Sequence, residues 1–274
     1  EVALRFGTCH REGMVNPDLS ALFEDLVTQF DQPFADVSLF STYLVSQMAR
    51  EHVTVALSGD GGDELFGGYD TYQAEALARR ISMVVPDGVM QLVAAMTAML
   101  PPSKKKKGFV NKLRRFTQGL VSAPSGIAHY RWMTFLDAPA KLRFYTPALQ
   151  AGLVETDVYA PIRRHLRGAH TADLLNRQLY ADLQVYLNDD ILVKVDRMSM
   201  AVSLEVRSPL LDHKLIEFMA TVPTRLKLKG LTTKYILKKS VEHLLPKEII
   251  HRNKQGFAAP IASWLKHELR PQVG

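Results

Sequence analysis

The stretch from Val53 to Tyr69, VTVALSGDGGDELFGGY, decides how the rest of this chain is interpreted. Its apolar beginning, residues 53–57, predicts a short buried strand of a parallel sheet. The strand breaks into glycines, which tolerate positive φ and let backbone N–H groups approach a ligand closely. The carboxylates of Asp60, Asp63 and Glu64 crowd the same turn. They suit it if a divalent cation lies between carboxylate and phosphate, or if one carboxylate acts on a reacting group. The loop therefore points to a nucleotide-using enzyme.

Two other interpretations of this loop have to be weighed. Acidic, glycine-rich loops are often plain surface turns. A calcium loop is disfavoured, because oxygen ligands at alternate positions ending in a distant Glu are absent. The abrupt switch from apolar strand to glycine favours a functional loop, since the carboxyl ends of parallel strands build ligand crevices.

Length and composition set the class of protein. With 274 residues, 47% of them hydrophobic and 23% charged, the chain is long enough to bury a good core. A single cysteine, Cys9, argues against a disulfide scaffold and predicts a reducing cytoplasm. The most apolar stretch, residues 89–100, is too short to span a bilayer, so no membrane partner is expected. The net charge is +6, and the only dense basic block is Lys104–Lys107, followed by Lys112, Arg114 and Arg115. We interpret this block as a solvated loop between helices, so no nucleic-acid partner is expected.

Local patterns predict a mostly helical chain around a remnant of parallel sheet. Residues 2–6 and 53–57 are the predicted strands, and a right-handed crossover of two helices joins them. The first of these helices begins at Asn16-Pro17-Asp18, and Ser38 is expected to cap the second, which runs to about Arg50. Beyond Tyr69 only helices are predicted, at about 70–82, 88–100, 109–119, 171–187, 189–202, 212–220 and 232–245, the last capped by Thr232.

Four segments, in order along the chain, resemble the synthetase domain of glutamine-dependent asparagine synthetases and their relatives. The most specific is LSGDGGDELFGGY at residues 57–69, and the others agree with it in order. They are DQPFAD with Ser38 at residues 31–38, KVDRMSM with LEVRSPLLD at residues 194–212, and RNKQGF with Pro260 and Trp264-Leu265 at residues 252–265.

The resemblance implies an α/β fold. It is a partial parallel sheet of the adenine-nucleotide alpha-hydrolase-like (ATP pyrophosphatase) fold followed by a predominantly helical part. Residues 1–80 would form the nucleotide-binding part and residues 81–274 the helical part. Family members also carry a glutaminase domain and a Ser-Gly-Gly-x-Asp-Ser pyrophosphate loop, and neither occurs in this sequence. The chain is therefore expected to be a fragment that starts inside the synthetase domain. A domain that folds or docks without turnover is the non-catalytic alternative.

The resemblance also implies a reaction. ATP, with Mg²⁺, would adenylate the carboxylate of aspartate, and ammonia derived from glutamine would then give asparagine, AMP and pyrophosphate. A relative that amidates another carboxylate, of a sugar, a peptide or a β-lactam precursor, is the alternative. The partners expected are these small molecules and the missing glutaminase domain, and a homodimer stays open.

Residue roles follow from the same resemblance. Ser58 and Gly59 match the nucleotide-contacting positions, and Asp63 matches the magnesium carboxylate. Asp60 stands where asparagine synthetases carry Glu, a position linked to forming or using the adenylate. Lys254 resembles the lysine that stabilises the pentavalent phosphorus and the leaving pyrophosphate.

The densest charge set of the second half lies at residues 196–212. A structural ion-pair network is the favoured interpretation, because arginine–carboxylate networks at helix ends are common without catalysis. Direct recognition of a substrate carboxylate is the alternative, and Glu205 and Arg207 are its candidates.

Overall fold

The computed structural model describes residues 1–13, 19–100, 109–121, 127–134, 136, 138–152, 157–252, 261–267 and 269–270. The chain divides into two compact units. The first unit contains residues 1–62, 184–219 and 236–274, and the second contains residues 63–183 and 220–235. The division near residue 80 that the sequence suggested stays a prediction.

The first unit is built from short helices and the two strands. Its helices are α1 (Val2–Phe6), α2 (Leu19–Thr28), α3 (Leu39–Arg50), α13 (Val193–Met200), α17 (Lys247–Ile250) and α18 (Ile261–Trp264), with most of α14 (His213–Thr221) and α16 (Tyr235–Ser240). Its strands are β1 (Val55–Leu57) and β2 (Glu205–Arg207), followed by a 3₁₀ turn over Pro209–Leu211. A π-helix over Leu183–Leu192, whose first residue belongs to the second unit, leads into α13.

The sheet pairs β1 with β2 in parallel, with Val55 opposite Glu205 and Leu57 opposite Arg207. The strand predicted at residues 53–57 is confirmed, but its burial is not, because Leu57 is 73% exposed. The strand predicted at residues 2–6 is wrong. Those residues form α1, which ends at Gly7 in the left-handed conformation. The helices-only prediction beyond Tyr69 is also wrong, since it missed β2.

The core of the first unit lies between α2, α3 and α13. Leu26, Phe30, Phe40 and Met198 are buried together there, and Trp264 packs edge-on against Phe40. Leu22 and Phe23 of α2 pack against this cluster, as expected for the apolar face of an amphipathic helix.

Of two predicted helix caps, one is confirmed in position only and the other is wrong. Ser38 stands at the N-cap of α3, but its hydroxyl donates to the carboxylate of Asp36 instead of capping the helix. The last predicted helix, residues 232–245, shortens to α16, so Thr232 lies outside it and bridges Lys229.

The secondary-structure elements described in the second unit are helices, apart from the isolated β-bridge between Lys229 and Thr232. The unit contains α4 (Gly62–Phe66, whose first residue belongs to the first unit), α5 (Asp70–Ser82), α6 (Asp87–Met99), α7 (Phe109–Val121), α8 (Ala128–Met133), α9 (Ala138–Leu142), α10 (Pro147–Gly152), α11 (Ala160–Gly168), α12 (Leu174–Asp182) and α15 (Thr224–Lys227). The helices predicted at 70–82, 88–100 and 109–119 are confirmed as α5, α6 and α7. Within the described part of the chain, no helix is both long and apolar enough to cross a membrane.

Small residues and aromatic rings form the core of the second unit. Ala78 and Ala128 pack with Trp132, and the ring of Phe116 stacks on Trp132. At its other helices, Asp173 caps α12 by accepting the backbone N–H of Asn176 at 2.9 Å, the usual use of an aspartate before a helix.

Candidate nucleotide site

Two serines end the two parallel strands of the first unit. Ser58 follows β1, and its backbone N–H donates to the carbonyl of Arg207 at 2.8 Å, which extends the ladder by one bond. Ser208 follows β2, and the Oγ atoms of Ser58 and Ser208 lie 2.7 Å apart. The parallel register therefore sets two hydroxyls side by side at the carboxyl edge of the sheet, the edge where α/β proteins bind ligands.

The turn after Ser58 needs glycine at one position above all. Gly61 has φ +82°, and a Cβ there would lie 2.0 Å from Cδ2 of Leu211. Any other residue would be strained by the backbone and by this contact. At Gly59, by contrast, a Cβ would meet nothing within 4 Å. Space beside the Gly59 backbone is what a ligand approaching this turn requires, and Asp60 lies half-buried in the same turn.

The two substrate candidates of the sequence pair with each other. Arg207 Nε donates to Glu205 Oε1 at 2.7 Å, and both side chains are more than half exposed. Alternation along β2 puts them on the sheet face that also carries Leu57. An exposed ion pair of this kind contributes little to the free energy of unfolding. Glu205 and Arg207 therefore do not form a buried structural ion pair.

Two of the family-like segments meet in the first unit. Lys194 donates to Asp36, and Arg197 reaches Asp31 at 3.0 Å. Burial raises the pKa of Asp36, but the hydrogen bond and charge of Lys194 outweigh it and leave the pKa lowered. Burial and the carboxylate of Asp36 raise the pKa of Asp190 to about 6. These charges hold α13 to the segment before α3.

In the second unit, the magnesium candidate Asp63 forms an ion pair. Its Oδ1 lies 3.0 Å from Nζ of Lys234, and both side chains are about a quarter exposed. Lys234 has φ +52°, a left-handed conformation that costs a non-glycine residue free energy and clusters at functional sites. Sequence reasoning missed Lys234, because nothing in the run LTTKYILKK distinguishes one lysine from the next.

The end of α4 holds the Asp63 carboxylate in place. Gly67 has φ +67°, and Gly68 donates its N–H to the carbonyl of Asp63 at 2.8 Å, as in a Schellman C-cap. A Cβ on Gly68 would lie 1.9 Å from Asp63 Oδ1 and 2.2 Å from Cε of Lys234. Only glycine at position 68 leaves room for the Asp63–Lys234 ion pair in this arrangement.

The donor set at Asp63 fits magnesium only as a site shared with a substrate. In the parts of the chain that the structure describes, no three His, Cys, Asp or Glu side chains gather as a metal centre. Magnesium, however, commonly takes one or two protein carboxylates and fills its other positions with water and phosphate oxygens. One carboxylate beside a lysine is consistent with that use.

A buried polar network lies beneath this part of the second unit. Asp182 accepts hydrogen bonds from the hydroxyl of Tyr72 and, at 2.8 Å, from Nε2 of His129. The His129 ring stacks on Tyr72, and its backbone N–H donates to Glu75. Asp182 and His129 are fully buried, so they reach no substrate and serve to join α5, α8 and α12. Sequence gave no signal for them, because the three partners lie more than 50 residues apart.

One candidate residue and one surface depression lie outside this arrangement. Lys254, the lysine assigned to the pyrophosphate, lies outside the described residues. An open depression of about 500 Å³ is lined by residues 50–55 and lies at the amino end of β1, opposite to Ser58.

Comparisons with known proteins agree with the motifs. The asparagine synthase family profile matches residues 1–274. The chain is 34% identical over 251 residues to asparagine synthetase [glutamine-hydrolyzing] 1 of Bacillus subtilis, covering 90% of this chain and 37% of that protein. It is 33% identical over 265 residues to a putative asparagine synthetase of Mycobacterium bovis, covering 95% and 38%. An amidase of Penicillium rubens is 25% identical over 272 residues, covering 93% and 39%. The chain thus spans less than two fifths of the length of these relatives.

Proposed function

Because the chain belongs to the asparagine synthase family, we propose that it is part of an ATP-dependent ligase that forms an amide through an acyl-adenylate. The observation that carries this proposal is the parallel pairing of β1 with β2. It sets Ser58 and the open turn at Gly59 at the carboxyl edge of the sheet, next to the acidic turn. Aspartate is the proposed substrate, as the names of the relatives from Bacillus subtilis and Mycobacterium bovis suggest.

In the first unit, the nucleotide is proposed to contact Ser58 and Gly59. The hydroxyl of Ser58 and the backbone of Gly59 offer neutral hydrogen-bond donors beside open space. Glu205 and Arg207 are the proposed substrate contacts. An Arg207 that is released from Glu205 presents a planar fork suited to a carboxylate.

In the second unit, Asp63 is the proposed ligand of Mg²⁺. When bound, the ion would offset the charge of the phosphates. Lys234, now paired with Asp63, carries a positive charge that can serve a phosphate oxygen once the carboxylate takes another partner. Lys254 stays the proposed lysine for the leaving pyrophosphate.

The proposed chemistry balances in two steps. An oxygen of the substrate carboxylate attacks the α-phosphorus of ATP, and pyrophosphate leaves. Ammonia then attacks the acyl carbon, the bond to AMP breaks, and the nitrogen loses a proton to a base. Asp60 is proposed to act in forming or using the acyl-adenylate, and its half-buried position in the turn after Ser58 supports this role.

The fold is proposed to be that of the ATP pyrophosphatases, the ammonia to come from a glutaminase domain, and the compartment to be the cytoplasm. The second candidate is amidation of a carboxylate other than that of aspartate, and it is kept because the relatives include a protein whose name refers to an amide and not to asparagine.

ATP–pyrophosphate exchange with a panel of carboxylates tests the proposal. It is measured on this chain and on a version extended toward the amino terminus. We expect aspartate-dependent exchange that falls about a hundredfold in Asp63→Ala and Lys254→Ala. Asp87→Ala, an exposed acidic residue in the first turn of α6, is the control and should exchange normally. If neither version exchanges pyrophosphate with any of the carboxylates, a non-catalytic domain is favoured. If both variants exchange as fast as the wild type, the site assignment is removed.

A further inference from the structure

The feature that carries a further inference is the hydroxyl pair of Ser58 and Ser208. Ser208 stands at the N-cap of the 3₁₀ turn Pro209–Leu211, where a serine hydroxyl ordinarily accepts a backbone N–H. It makes no such bond here. The turn is closed instead by the backbone, with the Leu211 N–H donating to the Ser208 carbonyl at 2.9 Å. The hydroxyl of Ser208 is thereby left to Ser58.

The position of the pair is set by the sheet and not by a flexible side chain. Leu57 lies opposite Arg207 in the parallel register, so the next residue of each strand, Ser58 and Ser208, also lies side by side. The bond from the Ser58 N–H to the Arg207 carbonyl fixes the spacing of the two backbones. Both side chains are half-buried, so water competes only in part for their hydrogen bonds.

A count of protons shows what the pair can offer. Each hydroxyl carries one donor and two acceptor positions. The bond between the two Oγ atoms uses one of the two protons. Among the described residues neither Oγ has another hydrogen-bond partner, so one O–H remains for an acceptor outside the pair. The pair therefore works as a single oriented donor.

We propose that Ser208 is a second hydroxyl of the nucleotide site, which acts with Ser58 as one donor to an acceptor oxygen of ATP. The inference rests on the proposed function, because it places the ligand at the carboxyl edge of the sheet. Ser208 sets the direction of the Ser58 hydroxyl, and removal of either one leaves the other free to rotate.

The test is a double-mutant cycle on ATP affinity, measured by calorimetric titration of the protein with ATP and MgCl₂. We expect Ser58→Ala, Ser208→Ala and the double variant to lose affinity to the same extent, about three- to tenfold. The losses do not add, because the two hydroxyls act as a unit. Ser208→Thr retains the hydroxyl in an extended backbone and should stay within twofold. Ser240→Ala, an exposed serine that donates only to the Leu237 carbonyl, is the matched control.

Thermal unfolding separates binding from support of the turn. A merely structural Ser208 would lower the melting temperature of Ser208→Ala and leave ATP affinity unchanged, which would overturn the inference. Additive losses in the double variant would overturn it as well. If Ser58→Ala loses ATP affinity and Ser208→Ala does not, the proposed role of Ser208 is wrong and the proposed function is unaffected. Absence of ATP binding by the wild type would overturn the proposed function and the inference with it. Wild-type affinity in Ser58→Ala would remove Ser58 from the proposed nucleotide site and overturn the inference, but it would leave the proposed ligase chemistry to the exchange assay.

Discussion

Gly68→Ala isolates the placement of the proposed magnesium carboxylate. The added Cβ would lie 1.9 Å from Asp63 Oδ1 and 2.2 Å from Lys234 Cε. Since real Cβ contacts do not fall below about 3 Å, the carboxylate must move by at least about 1 Å. A shift of that size separates the Asp63–Lys234 pair. A misplacement of about 1 Å can lower the rate of a reaction about a hundredfold where a reacting group must be positioned.

The neighbouring glycine supplies the matched control. Gly67 has φ +67°, so Gly67→Ala strains the backbone, but its Cβ would meet only Cβ of Lys227 at 3.8 Å. We expect Gly67→Ala to lose about 1 kcal/mol of unfolding free energy with little change in ligand binding. Gly68→Ala, whose φ is not positive, should lose about 1–3 kcal/mol through overpacking.

Calorimetric titration with ATP and MgCl₂, beside thermal unfolding of each variant, distinguishes the two effects. Magnesium-dependent ATP affinity is expected to fall about ten- to a hundredfold in Gly68→Ala and to stay within twofold in Gly67→Ala. Affinity within twofold of the wild type in Gly68→Ala would refute the reasoning that Gly68 supports the Asp63 carboxylate.

Three further predictions concern stability. Asp182→Asn should lose about 2–4 kcal/mol in urea unfolding, because it removes a fully buried carboxylate that accepts two hydrogen bonds; a loss under 1 kcal/mol would contradict this. In Gly119→Ala the Cβ would lie 2.0 Å from Trp132 Nε1, so fluorescence-monitored melting should fall, whereas Gly88→Ala, with open space, should match or exceed the wild type. The pKa of Asp190 is raised to about 6, so the stability that this carboxyl contributes is complete below pH 4 and is lost as pH rises through 6. Asp190→Asn should therefore raise the free energy of unfolding by about 1–2 kcal/mol at pH 7.5 and leave it unchanged at pH 4. An equal rise at both pH values would refute this prediction.

The sequence determined the elements whose signal is local and long. The helices α5, α6 and α7 each run for 13 residues, enough for helical spacing to show, and their predicted bounds agree within two residues. The glycine-rich turn and its carboxylates were likewise readable, because glycine and Asp at the end of an apolar run have few other uses. The roles given to those residues stay predictions.

Short elements and partnerships were decided only by the tertiary structure. Residues 2–6 hold too few positions to show a period, and they form a helix. The three residues of β2 carry no apolar run, and they become a strand because β1 offers a ladder. Lys234 meets Asp63, and Ser208 meets Ser58, across about 150 residues or more of sequence. A sequence records which side chains a chain carries, but contacts at that separation depend on packing, which no local pattern contains.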